Sequence, residues 1–210
     1  MIRILVADDH LVVRKGLKQI VADTSDIIVT DEADSGREVL NKALKGKYDL
    51  VLLDIAMPDM NGLDILKQLK TQSPELPVLI LSIYPEEQYA IRALKSGASG
   101  YLTKGSASEE LVAAIRKVAL GGKYVSSSLA EKLAAYLDAS AEKPLHQTLS
   151  NREYQVLCMI ASGMTKKEIA AKLSLSPGTV ATYRFRLLQK MQMNNIAELI
   201  RYAVENRLLP

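Results

Sequence analysis

Within residues 1–120, short aliphatic runs alternate five times with stretches of helical period, and few folds can hold that pattern. The runs fall at residues 2–7, 27–29, 50–53, 78–81 and 100–102, and several are rich in β-branched side chains. Such continuous runs suit strands covered on both faces. The intervening segments each carry an apolar stripe. In the first it is Val12, Val13, Leu17, Ile20 and Val21; in the last it is Leu111, Val112, Ile115 and Val118. Five strand–helix units of this kind predict an α/β domain, a (βα)5 doubly wound parallel sheet.

The helical period breaks at Gly121-Gly122. Residues 121–147 read as a linker: Ser126-Ser127-Ser128, a helical stretch near 129–137, and a run from Ser140 to Pro144. From Leu149 the texture is all helix, which predicts a small all-α four-helix domain over 148–210. Ser150 and Glu153 form a capping box for a helix that stops at Gly163. Thr165, with Glu168, starts a second helix at Lys166. Ser176 and Pro177 start a third, which reaches about Met191. Ile196, Leu199, Ile200, Ala203 and Val204 stripe a fourth.

The net charge of +3 hides a division of labour. Residues 1–120 hold 15 Lys/Arg against 17 Asp/Glu, whereas residues 145–210 hold 9 against 4. A basic small domain behind an acidic one points to nucleic acid for the second. The single cysteine excludes an intramolecular disulfide and points to a reducing compartment. Cys158, among Val156, Leu157 and Ile160, reads as a core thiol rather than a redox sensor. The apolar run at 4–7 is too short for a signal-peptide core or a membrane span, so a cytoplasmic protein with no membrane partner is expected.

In a doubly wound sheet, functional groups collect beyond the carboxyl ends of the strands. Here those ends carry Asp8-Asp9, Asp54, Ser82 and Thr103-Lys104. If strands one and three are neighbours, three carboxylates converge, with a hydroxyl and a lysine on the rim. Like charges that close raise one another's pKa and call for a cation. Lys104 compensates in part, and a hard divalent ion such as Mg²⁺ supplies the rest. Such a site can hold a phosphoryl group, with one carboxylate as nucleophile. Asp54 suits that role best, alone between Val51-Leu52-Leu53 and a Met57-Pro58-Asp59 turn. A single strand-end aspartate such as Asp9 is more readily a helix cap, but the whole set at one sheet edge is not. His10 is assigned to the edge of the site, because nitrogen ligands suit zinc rather than magnesium and the domain has no other histidine.

The strings ILVADDH, DLVLLDIAMPDMNGLD and GYLTK, with Ser82, resemble the receiver domain of two-component response regulators over residues 1–120. The resemblance implies that Asp54 accepts phosphate from a sensor histidine kinase. It implies that Asp8, Asp9 and Asp54, with the backbone carbonyl of Ala56, hold Mg²⁺. By the same resemblance Ser82 moves to the phosphoryl group, Tyr101 is the aromatic switch residue and Lys104 pairs with phosphate. Gly105 stands where many receivers have a proline in a cis bond; glycine is permissive, so function is retained. Tyr84-Pro85 and Tyr89 fall on the segment that transmits the switch in receivers; a solvent-facing loop and helix is the equal alternative.

In the second domain, two helices joined by a turn at Ser174–Ser176 fit a helix-turn-helix. A helical wheel of the later helix puts Val180, Tyr183, Leu187 and Met191 on one side. Ala181, Thr182, Phe185, Arg186 and Gln189 fall opposite, a face suited to a major groove. Phe185, the one phenylalanine, is expected outside, either on a thymine methyl or a partner domain, or partly buried against a neighbouring helix. Thr165, Lys166, Lys167, Arg184 and Lys190 are candidate phosphate contacts, and Thr179 is a further candidate DNA contact. The stretch from Leu149 to Met191 resembles the LuxR-type DNA-binding domain. The whole chain therefore resembles the NarL/FixJ family of response regulators. It departs from that family at Ala181, Tyr183 and Asn195, where lysine, histidine and arginine are common.

The resemblance implies a DNA-binding response regulator of a two-component system. The sensor histidine kinase phosphorylates Asp54, and the protein then forms a homodimer on double-stranded promoter DNA. Ile196, Leu199, Ile200 and Val204 are a candidate dimer surface, and RNA polymerase is a further candidate partner. The chain is not expected to be an enzyme beyond its own phosphoryl transfer and dephosphorylation. The alternatives are a DNA-binding regulator independent of phosphorylation, an aspartate-nucleophile phosphohydrolase, and an adaptor whose tail binds protein.

Overall fold

All five aliphatic runs become strands of one parallel sheet in the computed structural model, which describes residues 1–57, 59–138, 144–206 and 208. Pro58 of the Met57-Pro58-Asp59 turn and residues 139–143 of the linker lie outside the described residues. The strands are β1 (Ile2–Ala7), β2 (Ile27–Ala33), β3 (Leu50–Leu53), β4 (Val78–Ser82) and β5 (Gly100–Thr103), in the order β2-β1-β3-β4-β5. The reversal of strand order beside β1 puts β1 and β3 side by side, so both end at the same point of the sheet edge. Strand β2 runs past its apolar start through Thr30, Asp31 and Glu32. As an edge strand it leaves one side to solvent, so polar residues remain compatible with its ladder to β1.

Between the strands lie α1 (Leu11–Ala22), α2 (Gly36–Lys45), α3 (Gly62–Gln72), α4 (Glu86–Lys95) and α5 (Ser108–Ala119). One face of the sheet presents Ile4, Val6, Leu50, Leu52, Leu79, Leu81 and Leu102. It packs on Leu17 and Val21 of α1 and on Leu111, Ala114, Ile115 and Val118 of α5. The alternate strand residues Leu5, Val51, Leu53, Val78 and Ile80 are buried as well, and α3 packs between α2 and α4. Each fully buried aliphatic side chain contributes roughly 2 kcal/mol.

One expectation fails here, and one open alternative is decided. Val12 is 82% exposed and does not belong to the α1 stripe. At about 100° per residue it lies well over 90° from the centre of the Val13, Leu17, Ile20 and Val21 arc. Of the two readings left open for Tyr89, the solvent-facing one falls away: the side chain is fully buried, its ring 4.8 Å from that of Tyr84.

The chain divides into two compact units, residues 1–134 and 135–210. The predicted helical stretch of the linker is α6 (Ser127–Asp138). In the second unit a 3-10 turn (Leu145–Thr148) precedes α7 (Asn151–Ala161), α8 (Lys166–Lys172), α9 (Pro177–Lys190) and α10 (Ile196–Glu205). Both sequence-predicted capping boxes form: Ser150 with Glu153, and Thr165 with Glu168. Helix α7 packs against α8, α9 and α10. Leu157, Ile169, Leu173, Val180, Leu187, Leu199 and Ala203 are buried within this unit's helices and turn. Among the described residues no helix is long and apolar enough to cross a membrane.

Candidate functional site

The parallel register fixes the site. Ala7 pairs with Leu53, so Asp8 and Asp54 leave the sheet together. The Asp54 N–H donates to the Ala7 carbonyl at 2.9 Å, and the Asp8 N–H to the Ala33 carbonyl at 3.1 Å. Across β4 and β5, Ser82 pairs with Thr103, and the Lys104 N–H donates to the Ser82 carbonyl at 2.8 Å. Lys104 Nζ then lies 2.6 Å from Asp8 Oδ2 and 2.8 Å from Asp54 Oδ2. Both carboxylates are 2% exposed.

Burial pushes the Asp54 carboxyl above the usual carboxylate range, and this outweighs the pull of the Lys104 ammonium. For Lys104, burial works downward, but Asp54 and Asp8 hold its pKa above the ordinary value. Asp54 Oδ1 is buried without a hydrogen-bond partner of normal geometry. Asp8, Asp9, His10 and Asp54 each offer a ligand atom, and these atoms all lie within 4.8 Å of one another. A buried, unpaired carboxylate oxygen in an oxygen-rich cluster fits a hard divalent cation.

Neighbouring groups hold the pocket in shape. The Arg14 guanidinium donates to the Asp8 carbonyl at 2.7 Å and to Glu32 at 2.9 Å. Ala56 is half-buried two residues beyond Asp54, and its N–H makes a small contribution toward the charged form of Asp54. The loop that carries it is tied down by Asp59, whose two oxygens accept from the N–H groups of Gly36 and Arg37 at 2.7 and 3.1 Å. Helix α3 begins so close to Asp54 that a Cβ on Gly62 would fall 2.2 Å from the Asp54 carbonyl oxygen. Ser82 and Tyr101 meet at one residue. Ser82 Oγ accepts from the Tyr84 N–H at 3.3 Å, and the Tyr101 hydroxyl donates to the Tyr84 carbonyl at 2.8 Å. Tyr101 is fully buried, and burial pushes its hydroxyl pKa up.

In the second unit, α8, a turn with Ser174 at φ +52°, and α9 form the two helices of a helix-turn-helix. Val180, Leu187 and Met191 are buried, and Tyr183 is half-buried. Ala181, Thr182, Arg184, Phe185, Arg186 and Gln189 are exposed, as are Lys166 and Lys167. Thr179 is half-exposed, with its hydroxyl 2.9 Å from Ser176 Oγ. Thr165 is exposed but spends its hydroxyl on Glu168. Lys190 stands apart from this group, because its ammonium lies 2.7 Å from Glu153 Oε2. Phe185 is 61% exposed, which removes the partial-burial alternative. In α10, Leu199 and Ala203 are buried, Ile196 and Ile200 are partly covered, and Val204 is exposed. Leu199 is thus part of the small core rather than of a free surface.

The chain matches the response regulator receiver domain over residues 4–116 and the bacterial regulatory proteins of the luxR family over residues 147–203. It belongs to the NarL/FixJ family of response regulators. The regulator is 38% identical to the response regulator GacA of Pseudomonas aeruginosa, over 98% of this chain and 97% of that protein. It is 33% identical to the response regulator UvrY of Escherichia coli K12, over 99% and 96% of the two chains. Of solved structures, the response regulator ChrA of a heme-sensing two-component system is 31% identical. It aligns with a TM-score of 0.54, over 99% of this chain and 98% of that one.

Sequence reasoning about this response regulator overlooked Arg14, Asp59 and Gly62 as parts of the pocket. Arg14 lies on α1, among residues with no distinguishing pattern. Asp59 caps a helix 22 residues earlier in the chain, which no local signal reveals. Gly62 carried a usable signal, a glycine directly after the cap residue Asn61 and close behind a strand-end aspartate.

Proposed function

We propose that this response regulator is a phosphorylation-controlled transcription factor, with a receiver domain over 1–120, a linker over 121–147 and a DNA-binding domain over 148–210. The observation that carries this reading is Asp54 Oδ1: buried, without a hydrogen-bond partner of normal geometry, and in a carboxylate already held by Lys104. Of the two oxygens of this carboxylate, one can bond to phosphorus while the other faces the cation. Asp54 attacks the phosphoryl group of a sensor kinase phosphohistidine; the P–N bond breaks, and its electron pair leaves with the imidazole. Asp8, Asp9, Asp54 and the Ala56 carbonyl would hold Mg²⁺, which supplies positive charge for the phosphoryl oxygens. Lys104 pairs with one of those oxygens, and Ser82 Oγ reaches another.

Phosphorylation of Asp54 takes Lys104 away from its present geometry and draws Ser82 from the Tyr84 N–H. Tyr84 also holds the Tyr101 hydroxyl, so both changes meet in the β4–α4 loop. The phosphorylated regulator forms a homodimer in the cytoplasm and binds promoter DNA through Lys166, Lys167, Thr179 and the exposed face of α9. It turns over no external substrate. Selection of fragments from a random DNA pool, with and without beryllofluoride, tests this. Enrichment of one sequence that strengthens with beryllofluoride and is lost in Asp54→Asn is expected. Equal affinity under both conditions overturns it and favours a regulator indifferent to phosphorylation.

A further inference from the structure

We infer that Glu86 clamps the start of the linker helix α6 through Ser126, so that the β4–α4 loop governs the first turn of the linker. The clamp rests on the reading that phosphorylation of Asp54 shifts that loop, and it names the contact through which the shift reaches the linker.

The chain leaves α5 and returns along the β5 edge of the sheet. Tyr124 forms a parallel bridge with Gly100 of β5, and its N–H donates to the Ser99 carbonyl at 2.9 Å. A Cβ on Gly100 would stand 2.6 Å from the Tyr124 carbonyl oxygen, so the two backbones lie in close approach. Lys123 Nζ donates to the Ala98 carbonyl, and the Tyr124 hydroxyl to Glu110 Oε1, both at 3.0 Å. Lys123 and Tyr124 are thus tied to β5, its preceding turn and α5. Two residues further on, the chain meets the first residue of α4: Ser126 Oγ donates to Glu86 Oε2 at 2.5 Å.

The same hydroxyl starts α6. Ser126 Oγ accepts from the Leu129 N–H at 3.1 Å, and the Ser126 carbonyl accepts from the Ala130 N–H at 2.9 Å, which makes Ser126 the N-cap. Leu129 is buried, whereas Ser127, Ser128 and Ala130 are exposed, so the first turn is held by Leu129 and by the cap. A hydroxyl that donates to a carboxylate is polarised and accepts more strongly, so Glu86 reinforces the cap it touches. On its other side, Glu86 is joined to Tyr84 through Pro85, whose ring holds φ at −58°. Tyr84 donates to Ser82 Oγ and accepts from the Tyr101 hydroxyl. Departure of Ser82 toward the phosphoryl group therefore moves Tyr84, Glu86 and the cap together. Helix α6 begins in the first compact unit and ends in the second, so its first turn lies on the covalent path between receiver and DNA-binding domain.

Hydrogen exchange of the full-length protein, read by mass spectrometry on a peptide spanning 126–131, reports the Leu129 and Ala130 amides. Beryllofluoride should speed exchange there about tenfold in the parent, as fits loss of a hydrogen bond to a charged group. Glu86→Ala should exchange about tenfold faster without beryllofluoride and gain little more on its addition. Glu86→Gln keeps an acceptor oxygen in place and should stay within about threefold of the parent. Ser126→Ala removes both the clamp and the cap, so adding Glu86→Ala to it should speed exchange no further. Labelling of the parent at Asp54 by a small-molecule phosphodonor checks the switch itself. If the parent takes up label but exchange at 126–131 ignores beryllofluoride, the clamp is overturned and the proposed function stands. Exchange in Glu86→Ala equal to the parent's overturns the clamp as well. A parent that takes up no label removes the switch and the clamp with it.

Discussion

Lys190 Nζ lies 2.7 Å from Glu153 Oε2, joining the last turn of α9 to the first turn of α7. Glu153 is only 3% exposed and also accepts the Ser150 N–H at 2.8 Å in the capping box. Burial alone would push its carboxyl up, but Lys190 and Ser150 outweigh that and hold it below the ordinary value of 4.5. A depressed carboxylate contributes stability above its unfolded pKa and loses it as pH falls through the native one. Lys190→Met should therefore destabilise the protein by about 1 kcal/mol at pH 7, a modest figure because the ammonium is half in solvent. The difference should shrink below about pH 4.5. Urea unfolding followed by circular dichroism measures both. DNA affinity should change less than about twofold, whereas Lys166→Ala should lower the salt dependence of binding by about one counterion. A large loss of DNA affinity in Lys190→Met with unchanged stability would restore the residue to the phosphate contacts.

Burial of the Asp54 carboxylate costs stability. Its carboxyl is held above 3.8 chiefly by burial, so its charged form is destabilised by folding. Asp54→Asn keeps the shape and removes the charge, and should raise stability at neutral pH by about 1 kcal/mol while abolishing phosphorylation. A carboxylate with a raised native pKa weakens the fold at high pH, and that penalty fades as pH falls through the native and then the unfolded value. The gap between variant and parent should thus be widest near pH 7 and close on acidification toward 3.8. Thermal unfolding across that range, with phosphorylation assayed from a small-molecule phosphodonor, gives the answer. A variant less stable than the parent at pH 7 would mean that the Lys104 pairing outweighs burial.

Gly62 sets how near α3 begins to the strand that ends in Asp54. Its N–H donates to the Ile55 carbonyl at 2.9 Å, and an added Cβ would stand 2.2 Å from the Asp54 carbonyl oxygen and 2.6 Å from Ile55 Cα. These are backbone atoms, so no side-chain rotation relieves the clash. Gly62→Ala should cost about 2–3 kcal/mol and slow phosphorylation by displacing the loop that carries Ala56. The melting temperature and the rate of labelling should fall together. Full stability in the variant would show that α3 can start elsewhere.

The parts of this protein that could be read from sequence are those governed by a local period or a local cap. The five strands follow from continuous aliphatic runs, and the capping boxes at Ser150 and Thr165 follow from a spacing of three. The meeting of Asp8, Asp54 and Lys104 was legible because a sheet edge gathers strand ends whatever lies between them. What escaped depended on tertiary partners. Val12 is apolar and near the α1 stripe, yet its angle on the helix sends it to solvent. Tyr89 is amphipathic and could lie either way until the Tyr84 ring met it. Lys190 shares its composition with the other candidate DNA contacts, and its pairing with the buried Glu153, 37 residues earlier, has no local signal. Arg14 and Asp59 act through backbone groups, which have no sequence signature of their own.

Phe185 gives the sharpest test of the second domain. It is 61% exposed on α9, beside Ala181, Thr182, Arg186 and Gln189. An aromatic ring held in water by a helix that already buries Val180, Leu187 and Met191 contributes little to folding. Phe185→Ala should therefore leave unfolding free energy within about 0.5 kcal/mol of the parent. If the ring packs on a thymine methyl, affinity for the selected operator should fall about tenfold. Replacing that thymine by uracil, which lacks the methyl group, should reproduce the loss in the parent and add nothing in the variant. Fluorescence anisotropy with the two proteins and the two duplexes supplies all four affinities. A variant that binds both duplexes as the parent does would move Phe185 from the groove to a protein-facing surface.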